Sequence, residues 1–317
     1  MLKIAVRGMW LSLACVALAL AMESTAFAAP YAVGPEKCME CHRAEHQVWE
    51  ATKHATSFRD VHRDSKVKAI AMAAGGDDNM RRNATCVSCH YSETQKDANA
   101  RPAISVSISC ESCHGAASDW ITLHNDYGGP TAKRETETPD HKVDRLKKAA
   151  AAGMVHPANL FDVASNCLSC HGATRDSVAP DTMAKMIDAG HPPGSDFELV
   201  KYSQGTVRHR FYPPNVTANA EMTPPELART FITGHAAALV KVTTAAAATN
   251  PKLKATRDTL ANNARAALTA IQGQVPEAGA LLAAPNEANA RKLVDAIASK
   301  DLSAAVASLL PAKTAYK

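Results

Sequence analysis

The sequence predicts a mostly α-helical fold, in which short helices and long loops precede an alanine-rich helical region. Three observations lead to this prediction. A Cys-x-x-Cys-His motif occurs four times, aromatic residues make up only 5% of the 317 residues, and residues 223–317 contain helix start signals but no cysteine. Because so few aromatic residues are present, the core needs another source of apolar surface.

The four Cys-x-x-Cys-His motifs are typical attachment sites of c-type haem. The two thiols form thioethers to the porphyrin, and the histidine that follows becomes the proximal ligand of the iron. The sequence therefore predicts four covalently bound haem c groups, whose flat apolar faces complete the core of a multihaem cytochrome c. The motif residues are Cys38, Cys41 and His42; Cys86, Cys89 and His90; Cys110, Cys113 and His114; and Cys167, Cys170 and His171.

Paired cysteines also bind zinc, and two such pairs can close a four-thiolate site. A zinc site gives no reason for a histidine to follow the second cysteine in every motif. A thioredoxin-like redox pair fails in the same way, and no strand–helix pattern surrounds the motifs. We therefore favour haem, which uses eight of the nine cysteines and leaves no disulfide to predict.

Residues 1–28 have the features of a secretory signal peptide. A positively charged start precedes an apolar run over residues 9–22, and Ala-Phe-Ala ending at Ala28 offers a cleavage site. The run, which contains Cys15, is short for a transmembrane span, although an uncleaved anchor stays an alternative. We expect export to the periplasm, where no stable membrane span remains after cleavage.

Composition divides the chain into the signal peptide, a tetrahaem cytochrome c domain over 29–222 and a C-terminal helical region over 223–317. The formal net charge is +4, but two propionates on each haem would make the loaded protein acidic. The charge therefore does not indicate a nucleic-acid partner. The charged run over 131–150, which includes His141, is expected to form a solvated loop and helix.

The C-terminal region is expected to form three to five amphipathic helices. Thr223-Pro-Pro-Glu226 is a capping box with proline at the first helical position. Asn286 and Asp301 are predicted as further N-caps. These helices are expected to form a cap that covers the haem core or packs on itself, and the alternative is a docking surface for a redox partner.

The second ligand of each iron must come from outside the motifs. His54 follows His42 by twelve residues, which on a continuous helix is a separation of about 18 Å. His54 is therefore too far to reach the iron above His42 from the opposite face. We expect His54 to ligate a neighbouring haem, so that the haem units brace one another.

Two segments resemble the tetrahaem cytochrome c-554 family, whose members are periplasmic electron carriers that accept electrons from hydroxylamine oxidoreductase. The resemblance covers about 35–60 and 86–124, is weaker over 155–212, and is absent beyond about 240. It implies that His54 and His124 are distal ligands. The matching runs are Lys37-Cys-Met-Glu-Cys-His42, Gln47-Val-Trp49, Thr52-Lys-His54-Ala55 and Cys110-Glu-Ser-Cys-His114-Gly115.

His191 and His209 are the other two predicted distal ligands, since neutral imidazole is the usual second ligand of such haems. His191 lies in Gly-His-Pro-Pro-Gly, where proline restricts the backbone and suits a fixed imidazole. Both lie in runs that resemble multihaem cytochromes of this broad group. Five histidines are expected to be ordinary, although His156 and His235 stay possible ligands; the other three are His46, His62 and His141.

The predicted function is electron transfer between redox partner proteins through closely spaced, mostly bis-histidine haems. No catalytic residue is assigned. The alternative is a haem enzyme, because in the family that the chain resembles the second haem usually lacks a distal side chain. An open iron above His90 would then act on nitric oxide, nitrite or hydroxylamine.

Overall fold

The computed structural model describes residues 29–172, 175, 177–213 and 215–317. The predicted signal peptide, with Cys15, lies outside these residues. Helix makes up 53% of the structure, and the predicted mostly α-helical fold is confirmed. In the described part of the chain, no helix is both long enough and apolar enough to cross a membrane.

The first ten helices and the sheet alternate with long loops. The helices are α1 (Pro35–Met39), α2 (Arg43–Glu50), α3 (Lys53–Asp60), α4 (Val67–Ala74), α5 (Ala84–His90), α6 (Cys110–His114), α7 (Pro139–Ala151), α8 (Leu160–His171), α9 (Pro180–Asp188) and α10 (Leu199–Ser203). The strands are β1 (Ser92–Thr94) and β2 (Ala103–Val106), and 3-10 helices span Val61–Arg63, Arg134–Thr136 and Lys313–Ala315.

Five helices follow in the C-terminal region, within the number that the sequence predicts. They are α11 (Pro224–Thr244), α12 (Pro251–Thr269), α13 (Pro276–Ala283), α14 (Glu287–Ala296) and α15 (Ser303–Val306).

The predicted helix starts agree with the structure at two of three positions. Thr223 and Glu226 form the predicted capping box, and Asn286 accepts a hydrogen bond as the N-cap of α14. The prediction for Asp301 is wrong by one residue, because Leu302 is the N-cap of α15. The Asp301 carboxylate nevertheless accepts the backbone N–H of Ser303, the first residue of that helix.

Helices α5, α6 and α8 each end at the histidine of a motif, which presents that imidazole at a helix end. Asn83 begins α5 by accepting hydrogen bonds from the N–H groups of Thr85 and Cys86. Its amide nitrogen donates to the carbonyls of Ala71 and Gly75 at the end of α4. One side chain therefore fixes the second motif against the preceding helix.

A two-stranded antiparallel hairpin joins the second motif to the third. Glu93 pairs with Ile104, and the register shifts next to Ser92. The Ser92 hydroxyl donates to the carbonyl of Ser107 and accepts the N–H of Ser109, the N-cap of α6. The hairpin, which the sequence did not predict, therefore sets where the third motif begins.

Helix α11 lies at the centre of the main hydrophobic core. All residues from Thr230 to Val240 are buried, as in a helix that is covered on every side. This helix packs against α8, α10, α12 and α14. At Gly234 a Cβ atom would lie 2.6 Å from the Cβ of Leu199, so α11 and α10 approach closely. The fourth motif and the C-terminal helices therefore share one core, which includes Leu168 and Leu239.

Candidate haem-binding sites

The four motif histidines each lie opposite one histidine from elsewhere in the chain. Their ring centroids are 6.1 to 6.3 Å apart in every case. The four partners are the ones singled out in the sequence. The pairs are His42 with His124, His54 with His171, His90 with His191, and His114 with His209.

The spacing of the paired rings fits one iron between them. An imidazole nitrogen lies about 2 Å from a metal that it ligates, and the ring centre lies about 1 Å farther away. Two imidazoles on opposite faces of one iron therefore have centroids roughly 6 Å apart. Each observed pair has this separation, and each joins a cysteine-bearing motif to a second segment of the chain.

Hydrogen bonds hold several of these rings with one nitrogen free. Nδ1 of His114 donates to the carbonyl of Val155 at 3.0 Å, and Nδ1 of His124 donates to that of Ile121 at 2.6 Å. Because a carbonyl only accepts, the proton resides on Nδ1 and the lone pair on Nε2 is available for a metal. His191 and His209 bond in the same way, to the carbonyls of Pro192 at 2.9 Å and Val207 at 2.6 Å.

His191 is held by a loop that directly follows α9. Gly190 adopts a φ of 105°, which favours glycine, and the N–H of His191 donates to the carbonyl of Met186. Burial, and then the nearby imidazole of His191, lower the pKa of His90 to about 4. Burial also lowers the pKa of His191, and the neutral form that a lowered pKa favours is the one in which imidazole binds a metal.

His54 lies in the segment of the first motif but faces the fourth. Thr52 ends the preceding turn and begins α3 by accepting the N–H of Ala55, so the helix assumed to run on from His42 is in fact broken. The structure places His54 beside His171 at 6.1 Å, whereas His42 faces His124. The first and fourth motif segments are thus tied together.

The five histidines expected to be ordinary do not face a motif histidine in the described part of the chain. His46 contacts Trp49, and His235 contacts Phe231 on the buried helix α11. Nδ1 of His141 lies 2.8 Å from a carboxylate oxygen of Glu137. The remaining two are His62, near Arg81, and His156, whose Nδ1 accepts the N–H of Ala158.

The cysteines show how the motifs are ordered in space. A side-chain hydrogen bond with Cys110 raises the pKa of Cys38, and one with Cys170 raises the pKa of Cys89. Burial, and then the nearby Cys113 thiol, raise the pKa of Cys167 to about 12. The first motif therefore adjoins the third, the third adjoins the fourth, and the fourth adjoins the second. None of the eight described cysteines forms a disulfide.

Comparison with known proteins bears on the same motifs. Residues 37–115, which hold the first three motifs, match the family described as cytochrome c554 and c-prime. Cytochrome c-554 from Nitrosomonas europaea is 28% identical over 158 residues, which is 47% of this chain. Over these residues the chain is similar to the cytochrome c-554 family. The resemblance drawn from the motifs is therefore confirmed.

The similarity to cytochrome c-554 is partial, because the matched part spans 60% of that relative's length. No solved structure gives a significant match. A family of c-type cytochromes implies covalently bound haem c, and the motif cysteines and histidines are the residues that would hold it.

Glu111, inside the third motif, is a structural residue that sequence reasoning missed. Its buried carboxylate accepts the N–H groups of Val33 and Gly34, at 2.9 and 2.7 Å, and that of Ala117 at 2.8 Å. Glu111 therefore joins the segment just before α1 to the third motif. Asn166 makes a similar link, since its amide donates to the carbonyls of Ser112 and Cys113.

The charged run over 131–150 was predicted to be solvated, but part of it is buried. The Arg145 side chain is 9% exposed and bonds both carboxylate oxygens of Glu137, itself 3% exposed. Arg145 also donates to the backbone carbonyl of His124. This ion pair therefore holds the backbone behind a predicted distal ligand, and its burial results from tertiary contacts that a polar run does not reveal.

We expect the stability contributed by this ion pair to disappear in acid. Arg145 lowers the pKa of Glu137 from an ordinary value of 4.5 to about 2. Because the folded-state pKa is depressed, the contribution is present above the ordinary value and is lost as the pH falls through about 2. Urea unfolding of the wild type and of Glu137→Gln, measured from pH 7 to pH 2, tests this.

At pH 7 the variant should be less stable by about 3 kcal/mol, since Arg145 loses its buried partner. The two proteins should converge toward pH 2. Glu135→Gln is the matched control, because Glu135 is an exposed carboxylate two residues away. A constant difference between wild type and Glu137→Gln at every pH would contradict the assignment.

Proposed function

We propose that this protein is an exported tetrahaem c-type cytochrome that transfers electrons between redox partner proteins. The observation that carries the proposal is the set of four histidine pairs at 6.1 to 6.3 Å, each with one motif histidine. Bound haem c supplies one-electron redox chemistry. The paired imidazoles would hold the haem iron, and two imidazole ligands favour low-spin states and lower potentials than Met/His ligation.

The second motif decides between a carrier and an enzyme. An enzyme acting on a small nitrogen oxide or hydroxylamine needs one side of an iron free of protein ligands. The ring centroids of His191 and His90 lie 6.2 Å apart, within the range of the other three pairs. This arrangement supports a carrier in which all four motif histidines have an imidazole partner.

The order of the motifs also supports a carrier. The thiol contacts give a row that begins with the second motif and runs through the fourth and third to the first. A donor protein can dock at one end of such a row and an acceptor at the other. Export to the periplasm rests on the predicted signal peptide and on the chemistry of haem attachment.

Low-temperature EPR of the oxidised holoprotein, with haem quantified as the pyridine haemochrome, tests the proposal. We expect four haems per chain, all low-spin with bis-imidazole signals. A high-spin signal amounting to one haem, lost on adding cyanide or nitric oxide, would favour the enzyme. Fewer than four haems would overturn the interpretation of the motifs.

A further inference from the structure

A cavity of about 380 Å³ lies beside the fourth motif, among α10, α11 and α12 and the end of the chain. Its volume falls in the range of small-molecule sites. None of its lining residues belongs to a Cys-x-x-Cys-His motif or to one of the four histidine pairs. The cavity is therefore a separate feature from the haem-binding sites.

The walls of the cavity are largely apolar and partly aromatic, and the polar groups among them include the imidazole of His235. Phe197 and Phe231 line it together with Leu199, Leu260 and other apolar residues. His235 also lines it, is only 9% exposed and has no hydrogen-bond partner among the described residues. Its ring nitrogens are not buried from solvent, so they are open to the cavity, where a ligand can bond to them.

Two further observations define the ligand. The charged groups in the wall already have partners: Glu198 accepts the N–H groups of Val200 and Lys201, and Asp196 pairs with Lys201 and Lys317. A neutral ligand is therefore favoured over an ion. Burial lowers the pKa of His235 to about 4, so a neutral imidazole offers one donor and one acceptor.

The cavity is in contact with a predicted haem ligand. The ring of Phe197 stacks on that of His171, with centroids 5.2 Å apart and planes at 11°. A molecule in the cavity that touches Phe197 is thus one ring away from the fourth motif histidine. The redox relevance of this contact rests on the proposed function, whereas binding itself does not.

We propose that this cavity binds a small neutral aromatic molecule of the hydroquinone class, with a ring hydroxyl hydrogen-bonded to His235. The flat ring fits walls that contain Phe197 and Phe231. Oxidation of a hydroquinone to a quinone releases two electrons and two protons. The proposed haems would accept the electrons one at a time, the neutral His235 imidazole can accept one proton, and the other can pass to water.

The test is calorimetric titration of the fully reduced holoprotein with 1,4-naphthohydroquinone, so that no electron transfer contributes heat. We expect one molecule per chain. His235→Phe keeps a ring but removes the hydrogen bond, and should weaken binding about tenfold. Naphthalene, which lacks the hydroxyls, should bind the wild type correspondingly weakly.

A matched pair of variants on α12 tests the location. Ala266 is exposed at the cavity wall, and Ala255 is exposed on the same helix but does not line the cavity. Ala266→Phe should abolish binding, and Ala255→Phe should leave it unchanged. No binding by the wild type, equal affinity in His235→Phe, or equal loss in both α12 variants would overturn the proposal.

A second measurement separates this proposal from the proposed function. Saturating 1-naphthol, which has one ring hydroxyl, should shift one low-spin EPR signal of the oxidised holoprotein. Unchanged EPR signals at saturation would overturn the contact with the fourth site. If titration shows binding to a protein with fewer than four haems, the proposed function fails and the cavity assignment stands.

Discussion

Replacing His191 with alanine should convert one of the four proposed low-spin haems to a high-spin, five-coordinate centre. His191 is the imidazole opposite His90 at 6.2 Å, and alanine offers no atom that can ligate iron. The variant iron should then bind cyanide or nitric oxide, which the wild type should not. EPR of the oxidised variant and titration with cyanide measure both effects.

Chemical rescue makes the test of His191 specific. Added imidazole should restore the low-spin signal, because it supplies the missing ligand as a free molecule that is not attached to the chain. His156→Ala is the matched control. His156 faces no motif histidine, so the haems of this variant should all stay low-spin. An unchanged spin state in His191→Ala, or a high-spin signal in His156→Ala, would mean that the ligand pairs are misassigned.

The His191 variant also bears on the relationship to the cytochrome c-554 family. The resemblance implies a second haem that usually lacks a distal side chain, whereas this chain places an imidazole opposite His90. If the prediction holds, one substitution would turn a closed carrier site into the open site that a haem enzyme needs. The difference between carrier and enzyme would then depend on the loop from Gly190 to Gly194.

Much of the candidate site could be predicted because its signals are local. The four motifs are pentapeptides whose cysteines and histidine act together, so spacing alone identifies them. Which distal histidine faces which motif depends on tertiary packing. The separation of His54 from His42 excluded one pairing, but only the structure places His54 opposite His171.

The features that the sequence did not predict are those in which the local sequence does not match the environment of the residues in the fold. Ser92–Thr94 is three polar residues, too short to show strand alternation. Glu137 and Arg145 belong to a charged run and become buried through tertiary contacts that the run does not reveal. Helix α11 did carry a usable signal, since no charged residue occurs from Thr230 to Val240.

Ending the chain at residue 222 should destroy the fourth site rather than leave a working haem domain. The truncation uncovers the apolar face of α8 and α10, which includes Phe161, Leu168, Leu199 and Val200. Burying one such side chain is worth about 1.5–3 kcal/mol. The four together approach the whole stability of a typical domain, roughly 5–15 kcal/mol. Haem content and thermal unfolding of the truncated protein measure the loss.

Because a truncated chain can fail for several reasons, a matched pair of glycine variants tests the same contact in the full-length protein. Gly234 and Gly279 are both helical, and alanine is favoured over glycine in a helix by about 1 kcal/mol. At Gly279 nothing lies within 4 Å of an added Cβ, so Gly279→Ala should be neutral or stabilising. At Gly234 the new atom meets Leu199 at 2.6 Å, so Gly234→Ala should destabilise by about 1–3 kcal/mol.

The sign of the difference between these two variants decides whether α11 is part of the haem-bearing core. If Gly234→Ala pushes α11 away from α10, the fourth site should also change, because Phe197 and Tyr202 on either side of Leu199 contact the ring of His171. One low-spin EPR signal should therefore shift in Gly234→Ala, whereas no signal should shift in Gly279→Ala. Equal stability and equal spectra in the two variants would show that the C-terminal helices are a separate cap, which the sequence alone had also allowed.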